Sequence, residues 1–229
     1  MSLDGRRVRA IERRLRRHYG DLAPPRVTDP LDELILTVLS QHTSDLNAER
    51  AFASLRARFP TWDEVATAPT SEVAEAIRSG GLANTKAPRI QAILEEIRAR
   101  EGASSLSDLR TMPDQEVVAY LASLPGVGPK TVAVVMAFAL GRDAIPVDTH
   151  VHRVATRLGL VPATSAQRAQ RLLEDGLAPD LKVPLHVGLI RLGREICKAG
   201  RPRCEDCVLF ELCPTGPVVL GSVRGGKHA

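Results

Sequence analysis

The stretch Leu124–Val135, LPGVGPKTVAVV, places glycines at 126 and 128, a proline at 129 and a lysine at 130 immediately ahead of an apolar run. Glycine permits backbone angles closed to other residues, so a hairpin turns sharply here and brings its amide groups close to another surface. Pro129 suits the first position of a helix, where its missing N–H costs nothing. Lys130 then falls in the first helical turn, near the positive end of the helix dipole, where a protonated amine is disfavoured. Stability gives little reason for a lysine at that point. The plain alternative is a solvated lysine at the start of an ordinary helix.

Working outward, almost every other segment carries apolar residues at spacings of three and four, as in LDELILTVLSQ, LNAERAFASLRARF, APRIQAILEEIRA, QEVVAYLASL, KTVAVVMAFAL, VHRVATRLGL and VPLHVGLIRLGREI. Such spacing predicts amphipathic helices. Breaks fall at Pro24-Pro25, Pro60-Thr61, Gly80-Gly81 and Pro113-Asp114, where turn chemistry replaces periodicity. The best strand candidate is the brief AIPV before Asp148, so an all-α chain is predicted. The tail after Cys213, PTGPVVLGSVRGGKHA, reads as loosely ordered.

The 229 residues suffice for one large domain or two small ones, with 44% hydrophobic residues to build a core. No apolar run is long enough to cross a bilayer, and the amino terminus lacks the apolar stretch of a signal peptide, so an intracellular protein is expected, in the cytoplasm or nucleoid if bacterial. Net charge is only +4, but the cations are clustered. Arg6, Arg7, Arg9, Arg13, Arg14, Arg16 and Arg17 crowd the first segment, and Arg191, Arg194, Lys198, Arg201 and Arg203 a second one. Clusters of this kind suit a polyanion, the alternative being solvated helix faces. Aromatic residues, at 3%, are too few for a stacking platform that holds single strands.

All four cysteines fall in one stretch, Cys197, Cys204, Cys207 and Cys213, spaced C-x6-C-x2-C-x5-C. Four thiols this close can surround one metal centre, either a structural zinc ion or a cubane iron–sulfur cluster. Zinc ribbons usually show two paired knuckles, whereas only Cys204 and Cys207 form a pair here, which favours the cluster. Between the first two ligands, KAGRPR is cationic. A compact metal loop would hold Lys198, Arg201 and Arg203 in a fixed arrangement suited to phosphate.

LPGVGPKT, then IPVDTH from Ile145, then the four-cysteine loop together resemble the endonuclease III family of DNA glycosylases, within the helix-hairpin-helix superfamily, over roughly residues 29 to 214. The resemblance implies an all-α protein of two lobes, with a DNA cleft between them. One lobe is a six-helix barrel over 30–142 that carries the hairpin. The other is a discontinuous iron–sulfur lobe over 1–29 and 143–229. It further implies that Gly126 and Gly128 shape a phosphate-binding hairpin, that Lys130 is the nucleophile, and that Asp148 is its carboxylate partner. Asp148 also reads independently as the N-cap of the helix THVHRVATRL. In the segment SQHTSD, Gln41 or His42 would fill the gap left by an extruded base, with Gln41 preferred, and in GLANTK the residue Leu82 would wedge against the opposite base. The alternative for Leu82 is a place in the local core.

By the same resemblance the cofactor is one [4Fe-4S] cluster, and the partner is double-stranded DNA containing damaged bases or abasic sites. The expected protein is a monomer without membrane association. The expected activity is base-excision repair: removal of oxidised or saturated pyrimidines, then strand scission by β-elimination. The rivals are a monofunctional uracil or mismatch glycosylase, whose relatives generally lack a lysine at this position, and a non-catalytic protein that uses the hairpin as a phosphate clamp.

Overall fold

A computed structural model describes residues 3–23 and 28–225, with side chains up to residue 221; the Pro24-Pro25 break lies outside the described residues. The chain divides into two compact units, residues 26–141 and residues 1–25 with 142–229.

In the first unit, α2 (Pro30–Leu39) is the central helix. Asp29 caps it, accepting from the amides of Leu31 (2.9 Å) and Asp32 (3.2 Å), and Pro30 occupies its first position. Leu31, Leu34, Ile35, Val38 and Leu39 are buried, so α2 is apolar on nearly all sides. It is accordingly packed against α3 (Asp45–Arg58), α6 (Ala83–Glu101) and α8 (Pro129–Val134). Pro69 parts α4 (Trp62–Thr67) from α5 (Thr70–Ala76), and both lean on α6. Ile90, Ile93, Leu94 and Ile97 of α6 close the core from that side, and Val117 and Leu121 of α7 (Asp114–Ser123) complete it. The apolar run after Lys130 is not one regular helix. At Val135 it loosens into a π turn, Val135–Ala139, closed by the Leu140 amide on the Val135 carbonyl at 3.1 Å.

In the second unit, α11 (Pro179–Glu195) carries Leu181, Leu185, Leu189 and Leu192 as one buried stripe. Against it lie α9 (Thr149–Arg157), through Val151, Val154 and Ala155, and α1 (Gly5–Tyr19), through Val8, Ile11 and Leu15. Leu15 reaches α11 because Gly188 has no side chain; a Cβ there would stand 2.9 Å from Leu15 Cδ1. Burying each such leucine fully stabilises the unit by about 1.5–3 kcal/mol. α10 (Ala166–Gly176) adds Ala169 and Leu173.

The all-α expectation holds among the described residues: no strand forms, and the segment before Asp148 is pinned by side chains, the Ile145 amide donating to Glu174 Oε2 (3.0 Å) and the Pro146 carbonyl contacting Nδ1 of buried His186 (2.7 Å). One sequence expectation changes. The tail is ordered as α12 (Thr215–Gly225), because Thr215 Oγ1 donates to the Arg157 carbonyl (2.7 Å) and Gly216 fits against the Phe210 ring.

Candidate active site and cysteine centre

The hairpin forms where the sequence places it. Gly126 sits at φ +72°, the left-handed region that favours glycine, and the Val127 amide closes the turn on the Leu124 carbonyl at 3.2 Å. Gly128 differs from expectation, since its φ of −97° is open to any residue. What matters there is the bare surface, for nothing lies within 4 Å of where its Cβ would be. Pro129 opens α8, and half-buried Lys130 is its second residue.

Sequence reading missed the group that faces this lysine. Glu33, half-buried in the first turn of α2, accepts from Thr28 Oγ1 at 2.9 Å. Burial pushes its carboxyl above the usual range, offset in part by the Thr28 hydrogen bond and the positive charge of Lys130.

Asp148 lies in the other unit, at the start of α9, where its Oδ1 accepts from the Val151 amide at 2.7 Å. It is therefore the N-cap that THVHRVATRL predicts. Of the neighbouring histidines, His152 Nε2 contacts the Thr164 carbonyl (2.8 Å) and His150 Nδ1 faces Arg153 (3.3 Å), so both have structural partners.

The two loops proposed to probe DNA share a backbone feature. Among the described residues, His42 (φ +56°) and Leu82 (φ +51°) are the only non-glycines with positive φ. A leucine in this conformation costs of order 1–3 kcal/mol and persists only where its surroundings enforce it. Leu82 is 56% exposed and so lies outside the local core. His42 is exposed as well, whereas Gln41, the residue preferred from sequence, is half-buried and accepts from Arg89 Nη1 at 3.0 Å.

Behind these loops lies Lys86, which is only 3% exposed. Its Nζ donates to the carbonyls of Leu39 (2.6 Å) and Gly80 (2.8 Å), and burial lowers its pKa from the ordinary lysine value.

The four cysteines line one cavity of about 30 Å³, together with Arg157, Ile196, Pro202 and Phe210. Burial, and the negative charge of the other thiolates, raise the thiols of Cys204 and Cys207 above their usual range. Holding all four as thiolates would take a cationic centre between them. Arg157, which the sequence did not mark, organises the loop: Nη1 donates to Cys197 Sγ (3.3 Å) and the Lys198 carbonyl (2.7 Å), and Nη2 to the Ala199 carbonyl (2.9 Å). Its own carbonyl accepts from Cys213 Sγ at 3.4 Å.

Several cations of the two basic clusters are occupied within the protein. Arg7 donates to the Leu158 and Leu212 carbonyls, Arg9 pairs with Asp180, Arg14 with Glu211, and Arg191 donates to the Tyr19 carbonyl. Arg203 is held by the Glu195 carbonyl (3.0 Å) and Asp206, while Lys198 and Arg201 extend from the cysteine loop as exposed side chains.

An all-helical chain with a glycine hairpin leading into a lysine defines a class, and the chain belongs to the HhH-GPD superfamily of base excision DNA repair proteins, whose profile matches residues 35–179. Within that class it is similar to the endonuclease III of Thermotoga maritima, 35% identical over 206 residues and 90% of each chain. A solved structure of a trapped endonuclease III–DNA covalent intermediate superposes with a TM-score of 0.81 at 30% identity, over 95% of this chain and 99% of that one. A protein of Arabidopsis thaliana named as a DNA glycosylase is 42% identical over 168 residues, 73% of this chain but 57% of its own length.

Proposed function

We propose that the chain is a bifunctional base-excision repair enzyme, a DNA glycosylase with AP lyase activity acting on oxidised or saturated pyrimidines in duplex DNA. The observation that carries this reading is Lys130, half-buried in the first turn of α8 directly after the hairpin, within reach of the Glu33 charge. A non-catalytic clamp would need the glycines but not this lysine.

The hairpin amides near Gly126 and Gly128 receive a backbone phosphate, and Lys198 and Arg201 add cationic contacts, with Arg203 closer to the loop itself. A base inside a duplex is unreachable, so it is extruded at a cost of a few kcal/mol. His42 fills the vacated stack and Leu82 wedges against the opposite strand, because both are projected into solvent on left-handed backbone while Gln41 is held back by Arg89.

Lys130, as the neutral amine, attacks C1′ as the C1′–N bond breaks and the base leaves with the electron pair and a proton. Asp148 stabilises positive charge developing on the sugar. The ring-opened product is a Schiff base on Lys130 Nζ, from which loss of the C2′ proton expels the 3′ phosphate. One lysine thus serves both base removal and strand scission.

Cys197, Cys204, Cys207 and Cys213 would hold a [4Fe-4S] cluster. Their sulfurs line a shared cavity, and the single Cys204–Cys207 pair, where zinc ribbons carry two, favours a cubane over zinc. When bound, such a group supplies a rigid cationic centre for the loop; nothing in the proposed chemistry draws electrons from it.

The test is borohydride trapping on duplexes containing thymine glycol, uracil or an abasic site. Wild type should form a covalent adduct on thymine glycol, and Lys130→Ala should form none while retaining DNA affinity within about 3-fold. Adducts that survive in the variant refute the nucleophile assignment. Absence of wild-type adducts on every duplex would instead favour a monofunctional glycosylase or a clamp.

A further inference from the structure

The loop after α2 carries His42 and the turn before α6 carries Leu82, two segments some 40 residues apart in sequence that must act at one point on a duplex. Neither is held there by a large apolar contact of its own: both side chains are exposed, and both sit on backbone that is unfavourable for their residue type. Something behind them must fix their spacing. The first turns of α6 contain that support. Lys86 Nζ donates to Leu39 O at 2.6 Å, the last carbonyl of α2 before the His42 loop, and to Gly80 O at 2.8 Å, two residues before Leu82. One helical turn on, Arg89 Nη1 donates to Gln41 Oε1 at 3.0 Å, next to His42. The same guanidinium reaches the hairpin, since Arg89 Nε lies 3.0 Å from where a Cβ on Gly126 would stand.

We propose that Lys86, seconded by Arg89, is a positioning residue that presets the spacing of the two DNA probes, so that base extrusion depends on it while chemistry on an already extruded site does not. The physical case is that both carbonyls converge on one buried ammonium. The C-terminal end of a helix favours a cation, and a buried donor shared by two loops fixes them relative to each other with little residual freedom. Lys86 is 3% exposed and has no part in the proposed chemistry. Its influence passes through Leu39 and Gly80 to the adjoining loops.

This inference rests on the glycosylase reading and is tested so that the two can fail separately. Lys86→Met keeps the length of the side chain and removes both hydrogen bonds. Because a buried position is altered, Arg89→Gln, on a half-buried side chain, provides an independent variant, and all rates are normalised to the folded fraction. Two single-turnover rates are measured for each protein: thymine glycol excision from a fully paired duplex, and strand cleavage at a preformed abasic site. Excision should fall at least about 10-fold in both variants, with abasic cleavage changed by less than about 3-fold. A 2-aminopurine placed opposite a tetrahydrofuran abasic analogue should brighten on binding wild type and brighten less with either variant. Equal losses in both rates, or no loss in either, overturn the positioning role and leave the glycosylase reading standing. Wild type that neither excises nor cleaves overturns both.

Discussion

Glu33 shows how one side chain couples stability to the site. Its carboxyl is held above its ordinary value near 4.5 chiefly by burial. The folded state therefore keeps the proton to higher pH than the unfolded chain, and stability falls as pH rises from about 4.5 through the folded value. Glu33→Gln removes that slope. The melting temperature of the variant should match wild type near pH 4 and exceed it by a growing margin toward pH 7, where the wild-type carboxylate is a half-buried charge; a margin independent of pH would contradict this account. At this scale sequence reading was uneven. Lys130 stood out because a cation at a helix start is poorly placed, and the cysteines because four thiols have few other uses. Glu33, Lys86 and Arg157 did not stand out, because a charged residue on an amphipathic helix reads as solvated unless its burial is known. His42 and Leu82 carry no sequence mark of left-handed backbone, since that conformation is imposed by neighbours.

At the level of elements, α9 separates the capping role of Asp148 from the catalytic role proposed for it, which a single substitution would blur. Asparagine caps a helix about as well as aspartate, whereas alanine forfeits the hydrogen bond to the Val151 amide. Asp148→Asn should leave thermal stability nearly unchanged and slow base release by about 100-fold. Asp148→Ala should show the same loss of rate and, in addition, a destabilisation of about 1 kcal/mol. Equal melting temperatures for the two variants would mean that the cap contributes nothing. The helices themselves were legible because periodicity reports a buried face. The π turn at Val135–Ala139 was not: spacings of three and four in KTVAVVMAFAL predict a helix, but with apolar residues also between them the pattern cannot reveal an extra residue in the turn. The order of α12 was hidden for a related reason, since its partners, Phe210 and the Arg157 carbonyl, lie in the cysteine loop and behind it.

Across the whole molecule, each unit has its own apolar core, and the cysteine loop belongs to only one of them. If the four thiolates are held by a cluster, its removal should release the segments that close on it. Hydrogen exchange followed by mass spectrometry is expected to show protection lost around residues 196–221 and at the α1 contacts with the loop, where Arg7 and Arg14 are tethered, with residues 28–141 largely protected. Uniform loss across the chain would show that the units unfold as one. No composition shift marks residues 25 or 142, and the second unit is assembled from both ends of the chain, so periodicity and composition alone do not divide it.

That discontinuity has a consequence during synthesis. α1 leaves the ribosome before α11, and the leucines of α11 against which Leu15 is seated are translated some 170 residues later. At roughly 5–20 residues per second the delay is on the order of ten to thirty seconds. For that interval Val8, Ile11 and Leu15 form an unmatched apolar stripe beside seven arginines, while the intervening unit has every residue it needs to fold. Those arginines then keep a waiting helix dissolved and away from the first core to form, until the last third of the chain arrives to enclose it.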